Sequence, residues 1–326
     1  MRIGLLASSN LLPGHADKRG DAFEFDEELA SLRSGFETIG LTLDPVLWDE
    51  ADSQAADFDA LLPLMVWDYF EGHEARFLAV MARANEMTPV LNPPALLRWN
   101  SDKAYLEDLA ARGAKVIPTL RVDGVQPEDA ARAFQTFGTD RIVIKPQVGG
   151  GAWRQALYTK GDPWPTADKL PPDGALIQPF LPSVTAEGEY SFLYFGGEFS
   201  HALLKTAKPG DYRIQSLYGG SEQSYSPSED EKAVAKAVLA TLDQPPLYAR
   251  VDLLRGLDRQ LALIELEMIE PYLYLPHAEV IDGVNQGAVR LGRAIMARLG
   301  VSPARTDESG EQEGLTWWIA PQPLRA

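Results

Sequence analysis

The first 95 residues alternate strand-like runs with amphipathic helices, and this alternation constrains the fold more than any other feature of the chain. Residues 2–8, 41–47 and 60–67 are short runs of strand length, whereas residues 26–39 and 74–87 repeat apolar side chains at helical spacing. Such alternation is typical of an open parallel sheet covered by helices. The sequence therefore predicts an N-terminal α/β domain.

An Asn-Pro-Pro sequence at residues 92–94 ends this alternation, and hairpin signals become more frequent further along the chain. Gly196-Gly197 separates two β-rich runs, and Gly256 separates another such pair. A chain of 326 residues is also long for a single core. We predict three units: an N-terminal α/β domain over residues 1–95, a first α+β lobe over 96–177 and a second α+β lobe over 178–326.

Charge and composition exclude several classes of function. The net charge of −17 argues against a nucleic-acid partner or an anionic membrane, because both need a basic surface. The absence of cysteine excludes disulfides, thiolate metal sites and cysteine nucleophiles. The apolar run at residues 3–7 is too short for a signal sequence, and no run has the length that spans a bilayer. We expect a cytoplasmic protein, and a homodimer is compatible with the sequence.

Three acidic residues near the C-terminus form a candidate metal site. Asp252 lies in one predicted strand, and Glu265 and Glu267 lie two apart in the next. Residues two apart on a strand share a face, so two antiparallel strands could bring the three carboxylates together. Hard oxygen ligands of this kind suit Mg²⁺, which also takes oxygens from a nucleotide. The alternative is a solvated face of a half-exposed sheet.

Two lysines and a glycine turn form a candidate phosphate site. Lys145 ends the apolar run 142–144 and is followed by the turn Gly149-Gly150-Gly151. A lysine at the end of a buried strand points into the cleft beyond it, and backbone N–H groups of a glycine turn can close over phosphates. Lys103 stands in the first turn of a predicted helix, where a cation is disfavoured unless an anion is nearby. The alternative for each lysine, and the favoured one for Lys103 alone, is a surface position.

Sequence motifs of other enzyme classes are missing. The chain has no P-loop, no dinucleotide-binding fingerprint, no zincin motif and no nucleophile elbow. The four histidines show no ligand spacing, and His201, between Phe199 and Leu203 in an alternating strand, is expected to be a hydrogen-bonded core or cleft residue. Trp67-Asp68-Tyr69, Tyr272 and Tyr274 could line a substrate pocket or pack in the core.

Five short stretches follow one another in the order and at the spacing of one superfamily. They are residues 99–103 (WNSDK), 143–146 (VIKP) with the three glycines, 178–182 (QPFLP), 211–215 (DYRIQ) with Gly219-Gly220, and Asp252 with 265–267 (ELE). In these stretches the chain resembles the ATP-grasp superfamily over residues 60–285. Residues 67–69 (WDY) and 188–191 (GEYS), leading to Lys205, are similar to the prokaryotic glutathione-synthetase-like branch, and within it to the group around D-cycloserine synthetase.

The resemblance implies an ATP-grasp fold, in which the N-terminal domain precedes two lobes that enclose ATP between them. It also assigns contacts with ATP. Lys103 and Lys145 would contact the α- and β-phosphates, with Gly149, Gly150 and Gly151 closing over them. The remaining contacts are with the nucleoside: Gln178 and the backbone of Phe180 and Leu181 for adenine, and Glu189 for the ribose.

The resemblance further implies a reacting centre with metal ions. Asp252, Glu265 and Glu267 would hold two Mg²⁺ ions, for which Mn²⁺ could substitute. Lys205 and Arg213 would face the γ-phosphate and the reacting carboxylate as catalytic residues. Glutathione synthetases usually carry arginine where Ser191 stands and asparagine where Glu267 stands, so glutathione is not inferred as the product.

The implied function is an ATP-dependent ligase for a small, amino-acid-like substrate. A substrate carboxylate would be activated as an acyl phosphate, and an amine-type nitrogen would then displace phosphate. This ligation could join two molecules or close a ring within one. Two alternatives remain at this point: a phosphotransferase that uses the same ATP site, and a nucleotide-binding protein without turnover.

Overall fold

The computed structural model describes residues 1–12 and 14–301. The sequence predicts a polar, acidic loop at residues 302–314 and a short apolar segment at 315–320, and both lie outside the described residues. Within the described part of the chain, no helix combines the length and the apolar character that crossing a membrane requires.

The N-terminal unit is the predicted α/β layer. Its strands and helices are β1 Arg2–Ala7, α1 Phe23–Glu37, β2 Thr42–Leu47, α2 Ala51–Gln54, β3 Ala60–Met65 and α3 Glu74–Asn85. The three strands form a parallel sheet in the order β2-β1-β3. Strand β3 is buried along its whole length, which explains its uninterrupted apolar sequence. The strand–helix alternation therefore predicted this layer correctly.

A first antiparallel unit follows. Its elements are α4 Pro94–Ser101, α5 Tyr105–Ala111, β4 Leu120–Val122, α6 Pro127–Phe137, β5 Arg141–Pro146, β6 Ala156–Thr159 and β7 Ala175–Pro179. The four strands pair in the order β4-β7-β5-β6, with neighbours antiparallel. Helix α6 begins in a capping box between Gln126 and Asp129 and ends at the left-handed Gly138. This unit brings Lys145 to the inner edge of its sheet.

The second antiparallel unit is larger. Its elements are α7 Ser183–Ala186, β8 Glu189–Phe195, β9 Glu198–Thr206, β10 Ser221–Tyr225, α8 Glu229–Leu239, β11 Tyr248–Arg255, β12 Leu261–Glu267, β13 Val280–Ile281, β14 Val284–Asn285 and α9 Gln286–Arg298. Five strands pair in the order β10-β9-β8-β11-β12. The hairpin at Gly196-Gly197 forms as predicted. The Ser228 and Glu231 spacing also predicts a capping box, and this box begins α8.

Helix α9 packs against the N-terminal unit rather than against its own lobe alone. A Cβ on Gly35 of α1 would meet the Cβ of Ala288 of α9 at 2.5 Å, and one on Gly292 would meet Phe36 at 3.1 Å. The small residues therefore let the two helices approach closely, and one apolar core includes residues from both ends of the chain. The three sheets follow one another along the chain, but β7 of the first antiparallel sheet crosses the predicted boundary at 177/178. The division into units at 95/96 and 177/178 stays a prediction.

Two local predictions near the first boundary were wrong. The sequence Asn-Ser-Asp at residues 100–102 and the glycine at 113 predict a capped helix that reaches Arg112, but α4 ends at Ser101 and α5 begins at Tyr105. Asn100 caps no helix. Its amide donates to Leu266 O and accepts from Met268 N, and it is therefore tied to the end of β12. The sequence also predicts a strand over residues 116–122, but only 120–122 pair with β7.

His201 provides a test of the core by pH. Its ring is buried between Ser200 Oγ at 2.9 Å and Leu273 O at 2.8 Å, as expected for a core histidine. Burial lowers its pKa from 6.5 to about 4. Between those values the unfolded chain binds a proton that the folded chain does not, so the free energy of unfolding decreases as pH falls from 6.5 to 4.

The His201→Gln variant should lose this part of the pH dependence. We expect the decrease in unfolding free energy between pH 6.5 and 4 to be smaller in the variant by about 3 kcal/mol, from the linkage of the pKa shift. Urea titrations of both proteins at several pH values measure it. Parallel pH curves for the two proteins would show that His201 does not titrate in this way.

Candidate active site

A cleft between the two antiparallel sheets collects most of the predicted site residues. It encloses about 1110 Å³, including the solvent at its mouth. The predicted residues that line it are Lys103, Lys145, Gly149, Gly150, Gly151, Glu189, Lys205, Asp252, Glu265 and Glu267. They come from five strands, one helix junction and one loop. Residues distant in sequence are therefore brought to one surface.

The three predicted metal ligands lie on neighbouring strands, as their spacing indicated. Strands β11 and β12 are antiparallel, and Asp252 stands opposite Glu265. Glu267 stands opposite Arg250. Asp252 is almost fully buried and also accepts a hydrogen bond of 2.5 Å from Ser191 Oγ. The carboxylates therefore face the cleft from one edge of the sheet.

Two cations hold these carboxylates. Lys205 Nζ lies 2.7 Å from Glu189 and 3.6 Å from Asp252. The Arg250 guanidinium lies 3.0 Å from Asp252 and also donates to Glu267. Burial alone would lower the pKa of Lys205, but the charges of Asp252 and Glu189 outweigh it and raise the pKa. Both cations therefore stay charged in a buried site.

Lys103 and Lys145 belong to the first antiparallel unit and enter the cleft beside Glu265. Lys103 Nζ is 3.1 Å from Glu265 and donates to Gly149 O. Lys145 Nζ is 3.3 Å from Ile264 O and has no carboxylate within 4 Å among the described residues. Burial lowers the pKa of Lys145, whereas for Lys103 the charge of Glu265 outweighs burial and raises it. Among the described residues of the cleft, Lys145 therefore lacks the carboxylate contact that Lys103, Lys205 and Arg250 have, and an anionic ligand would stabilise its charge.

The glycine turn closes one side of the cleft against the N-terminal unit. A Cβ on Gly150 would meet Phe70 Cε1 at 2.9 Å, so no other residue fits there without a shift. Gly151 has φ of +58°, which favours glycine. Its carbonyl accepts from Tyr218 of the 207–220 segment at 3.5 Å. Two loops and the N-terminal unit thus meet over the cleft.

The remaining predicted residues lie beside the cleft and do not line it. Gln178 donates to Thr119 at 2.9 Å, and Phe180 and Leu181 are buried in an apolar cluster with Ile214. Arg213 is bonded through two nitrogens to Asp211, the shorter contact being 2.7 Å, and its guanidinium stacks on a tyrosine ring. The adenine and catalytic roles of these four residues stay predictions.

The donor set suits a magnesium ion that is shared with a nucleotide. In residues 1–12 and 14–301, no three or more carboxylate or histidine side chains are arranged to hold a metal ion by themselves. Mg²⁺ in nucleotide sites usually takes one or two carboxylates together with phosphate oxygens and water. Asp252 and Glu265 face each other across the strand pair and supply that number. The chemistry of these residues therefore fits the ion.

Sequence reasoning missed a second group of residues in the cleft. Arg250 could have been found, because it lies two residues before Asp252 on a strand and must share its face. The others carried no local signal, since docking of the N-terminal unit and of the loop after β12 brings them in. They are Arg19, Asp21, Glu24, Phe70 and Glu270. Trp67, Tyr272 and Tyr274, for which the sequence left a pocket or a core position open, also line the cleft.

Comparisons with known proteins agree with this geometry. A family model described as the N-terminal domain of D-cycloserine synthetase DcsG matches residues 3–92. The chain is 32% identical over 293 residues to the cycloserine biosynthesis protein DcsG of Streptomyces lavendulae, covering 84% of this chain and 94% of that protein.

Solved structures extend the likeness to the whole fold. The crystal structure of D-cycloserine synthetase DcsG matches with a TM-score of 0.76 at 28% identity, covering 92% of this chain and all of that one. ATP-grasp ligase PsnB, solved with a minimal precursor, Mg and ADP, matches with a TM-score of 0.58 at 15% identity, covering 91% and 98%. This second likeness shows the fold alone. The chain therefore belongs to the family of D-cycloserine synthetase DcsG and is an ATP-dependent carboxylate–amine ligase with the ATP-grasp fold.

Proposed function

We propose that this enzyme activates the carboxylate of a small amino acid as an acyl phosphate and closes a ring onto a nitrogen of the same molecule. The relatives named above concern cycloserine, a five-membered ring in which an amino-acid carbonyl is bonded to a ring nitrogen. A β-aminooxy or β-ureidooxy amino acid carries the carboxylate and the nitrogen at the right separation for this closure. These compounds are the proposed substrate class.

One observation carries the proposal: four cations and four carboxylates are packed together in the cleft, and most of them are ion-paired with one another. The cations are Lys103, Lys145, Lys205 and Arg250; the carboxylates are Glu189, Asp252, Glu265 and Glu267. ATP with magnesium offers both partners at once, since phosphates attract the cations and the metal attracts the carboxylates. The ion pairs can therefore exchange partners when ATP binds, without a buried charge being left alone.

The chemical steps follow from the positions of the cations. An oxygen of the substrate carboxylate attacks the γ-phosphorus, the bond from phosphorus to the β-phosphate oxygen breaks, and ADP leaves with the electron pair. Lys205 and Arg250, which both contact Asp252 in the cleft, would neutralise the transferred phosphoryl group and the carbonyl oxygen. The nitrogen lone pair then attacks the carbonyl carbon. The C–N bond forms, the C–O bond to phosphate breaks, and the nitrogen releases its proton to the departing phosphate.

Magnesium, when bound, would neutralise charge on the phosphates. Asp252 and Glu265 would hold it, and a second ion would use Glu267 as well. Mn²⁺ prefers the same oxygen ligands and would be able to substitute. Closure of the glycine turn over the cleft would exclude water, which otherwise hydrolyses an acyl phosphate.

Release of ADP tests this function directly. The purified protein is incubated with Mg-ATP and a panel of amino acids, dipeptides and β-aminooxy or β-ureidooxy amino acids, with Lys145→Ala as the inactive control. We expect ADP to appear with the β-substituted amino acids and to disappear in the variant. If ADP forms only with dipeptides or with separate amine acceptors, the enzyme joins two molecules and does not close a ring.

The contact between Gly150 and Phe70 gives a second prediction. In Gly150→Val the new side chain should push the turn away from Phe70, and we expect kcat/KM to fall by about 10- to 100-fold because reacting groups are misplaced. Gly124→Ala, where a Cβ meets nothing within 4 Å, is the matched control. Phe70→Ala in the Gly150→Val background should restore part of the rate. An unchanged rate in Gly150→Val would mean that this contact is not needed for turnover.

A further inference from the structure

The end of the cleft next to the N-terminal unit is built from aromatic rings and one unusual carboxylate. Trp67 Nε1 donates to Glu270 O at 3.1 Å, so the two residues are fixed side by side. Tyr272 meets Trp67 edge-on at 6.4 Å between ring centres, and its hydroxyl donates to Glu27. Trp67, Glu270 and Tyr272 all line the cleft. None of them takes part in the chemical steps above.

Glu270 differs from the other carboxylates of the cleft in its partners. Asp21 is held by Arg19 at 2.9 Å, and Glu265 and Glu267 are held by Lys103 and Arg250. In contrast, no lysine, arginine or histidine of the described residues lies within 4 Å of the Glu270 carboxylate, which no ion pair includes. This carboxylate is hydrogen-bonded to the backbone of Glu270 itself and, without an ion-pair partner in the described part of the chain, keeps further acceptor sites for a ligand.

The surroundings of Glu270 favour a cationic ligand. Burial and the negative charge of Glu267 raise its pKa to about 8. A compact positive group placed there would relieve this repulsion and would also be attracted by the neighbouring aromatic faces. The nearest strong cation, Lys103, already contacts Glu265 and Gly149 O. A positive charge from outside the chain thus fits the site better than a rearrangement within it.

The position of Glu270 indicates which cation this is. Strand β12 ends at Glu267, and Glu270 follows three residues later. Glu270 therefore adjoins the place where the substrate carboxylate is activated. In an α-amino acid the ammonium group and the carboxylate are on the same carbon, and their binding partners must therefore lie close together. Resting on the function proposed above, we propose that Glu270, held in place by Trp67, binds the α-ammonium group of the amino-acid substrate.

Two compounds that close the same ring separate this role from others. O-Aminoserine, in both enantiomers, carries the α-ammonium group, and 3-aminooxypropionate lacks it. For Glu270→Gln we expect kcat/KM for O-aminoserine to fall by about 100-fold, as for loss of a charge-assisted hydrogen bond. The kcat/KM for 3-aminooxypropionate should change less than about threefold, because that compound has no α-ammonium group to pair with the Glu270 carboxylate. The change for O-aminoserine should appear mainly in KM.

Several results would overturn the proposal. Equal losses with both compounds would make Glu270 a structural or catalytic residue without specificity for the ammonium group. A shift of the Mg²⁺ activation curve to higher concentration in Glu270→Gln would make it a metal ligand. Glu270→Asp, which keeps the charge, should recover part of the preference for O-aminoserine. If it recovers none, and Glu270→Gln loses equally in kcat/KM with both compounds, then Glu270 does not bind the ammonium group.

A binding measurement keeps this inference separate from the proposed reaction. Calorimetric titration of O-aminoserine and of 3-aminooxypropionate into the protein with Mg-ADP needs no turnover. We expect the wild-type protein to bind O-aminoserine at least 10-fold more tightly than the analogue, and Glu270→Gln to lose this difference. If neither compound yields ADP but the binding difference is present, the ring-closing function fails and the role of Glu270 stands. Equal binding of both compounds by the wild-type protein would refute the role.

Discussion

Replacing Arg250 by methionine should lower kcat/KM for ADP formation by about 10³-fold, the size seen when a main donor to a developing oxyanion is lost. Arg250 is buried, lines the cleft and bonds both Asp252 and Glu267. Arg213, by contrast, is bonded to Asp211 beside the cleft. We therefore expect Arg213→Met to lower kcat/KM for ADP formation by less than about 10-fold. Steady-state kinetics of the two variants compare the roles.

Controls separate chemistry from folding in this comparison. Arg250→Met removes the guanidinium from Glu267 and leaves Asp252 with Lys205, whereas Arg250→Lys keeps a positive charge at the same place. The lysine variant should fold like the wild type and still lose more than about 10-fold in rate, because the planar two-nitrogen contact is gone. Arg255→Met, on the same strand but paired with Glu187 and Glu231, is the matched control. A larger loss in Arg213→Met than in Arg250→Met would return the catalytic role to Arg213.

Glu265→Gln should abolish most turnover while ATP still binds. Glu265 faces Asp252 across the strand pair and bonds Lys103. An amide of the same shape cannot supply the negative charge that a magnesium ion needs, and we expect kcat to fall by about 10³-fold, comparable with loss of other charge-stabilising groups. Equilibrium binding of ATP and ADP release measure the two effects separately.

The dependence of this variant on magnesium distinguishes two reasons for the loss. If Glu265 is a metal ligand, the Mg²⁺ concentration for half-maximal activity should rise in Glu265→Gln. If Glu265 only positions Lys103, that concentration should not change. Glu198→Gln, an exposed position at the start of β9, removes the same charge far from the cleft and should behave like the wild type. Full activity in Glu265→Gln would contradict both roles.

Sequence reasoning succeeded where the site depends on local structure. The period of two in a strand and the short turn around Gly256 were enough to predict that Asp252, Glu265 and Glu267 meet on two paired strands. The exact pairing of Asp252 with Glu265 was not predictable, because it depends on a register shift between Asp252 and Leu253. The same holds for Lys145, whose position at the end of a buried strand puts it in the cleft. Arg250 follows the same rule and could have been predicted.

The residues that were missed depend on contacts between units. Glu270 and Trp67 meet only because the loop after β12 docks on the N-terminal sheet, and the two are 203 residues apart. No periodicity within one segment reports such docking. Asn100 shows the opposite error: its sequence fits a helix cap, but tertiary hydrogen bonds to Leu266 and Met268 decide its role. Local propensity is overridden where distant segments offer better partners.

The acyl phosphate itself is tested most directly with an isotope. The substrate that gives the most ADP is labelled with ¹⁸O in both carboxylate oxygens, and the phosphate released during turnover is analysed by mass spectrometry. If the carboxylate attacks the γ-phosphorus, one labelled oxygen leaves with phosphate, and each phosphate should carry one ¹⁸O. Unlabelled phosphate from a reaction that still consumes ATP and forms product would contradict the mechanism.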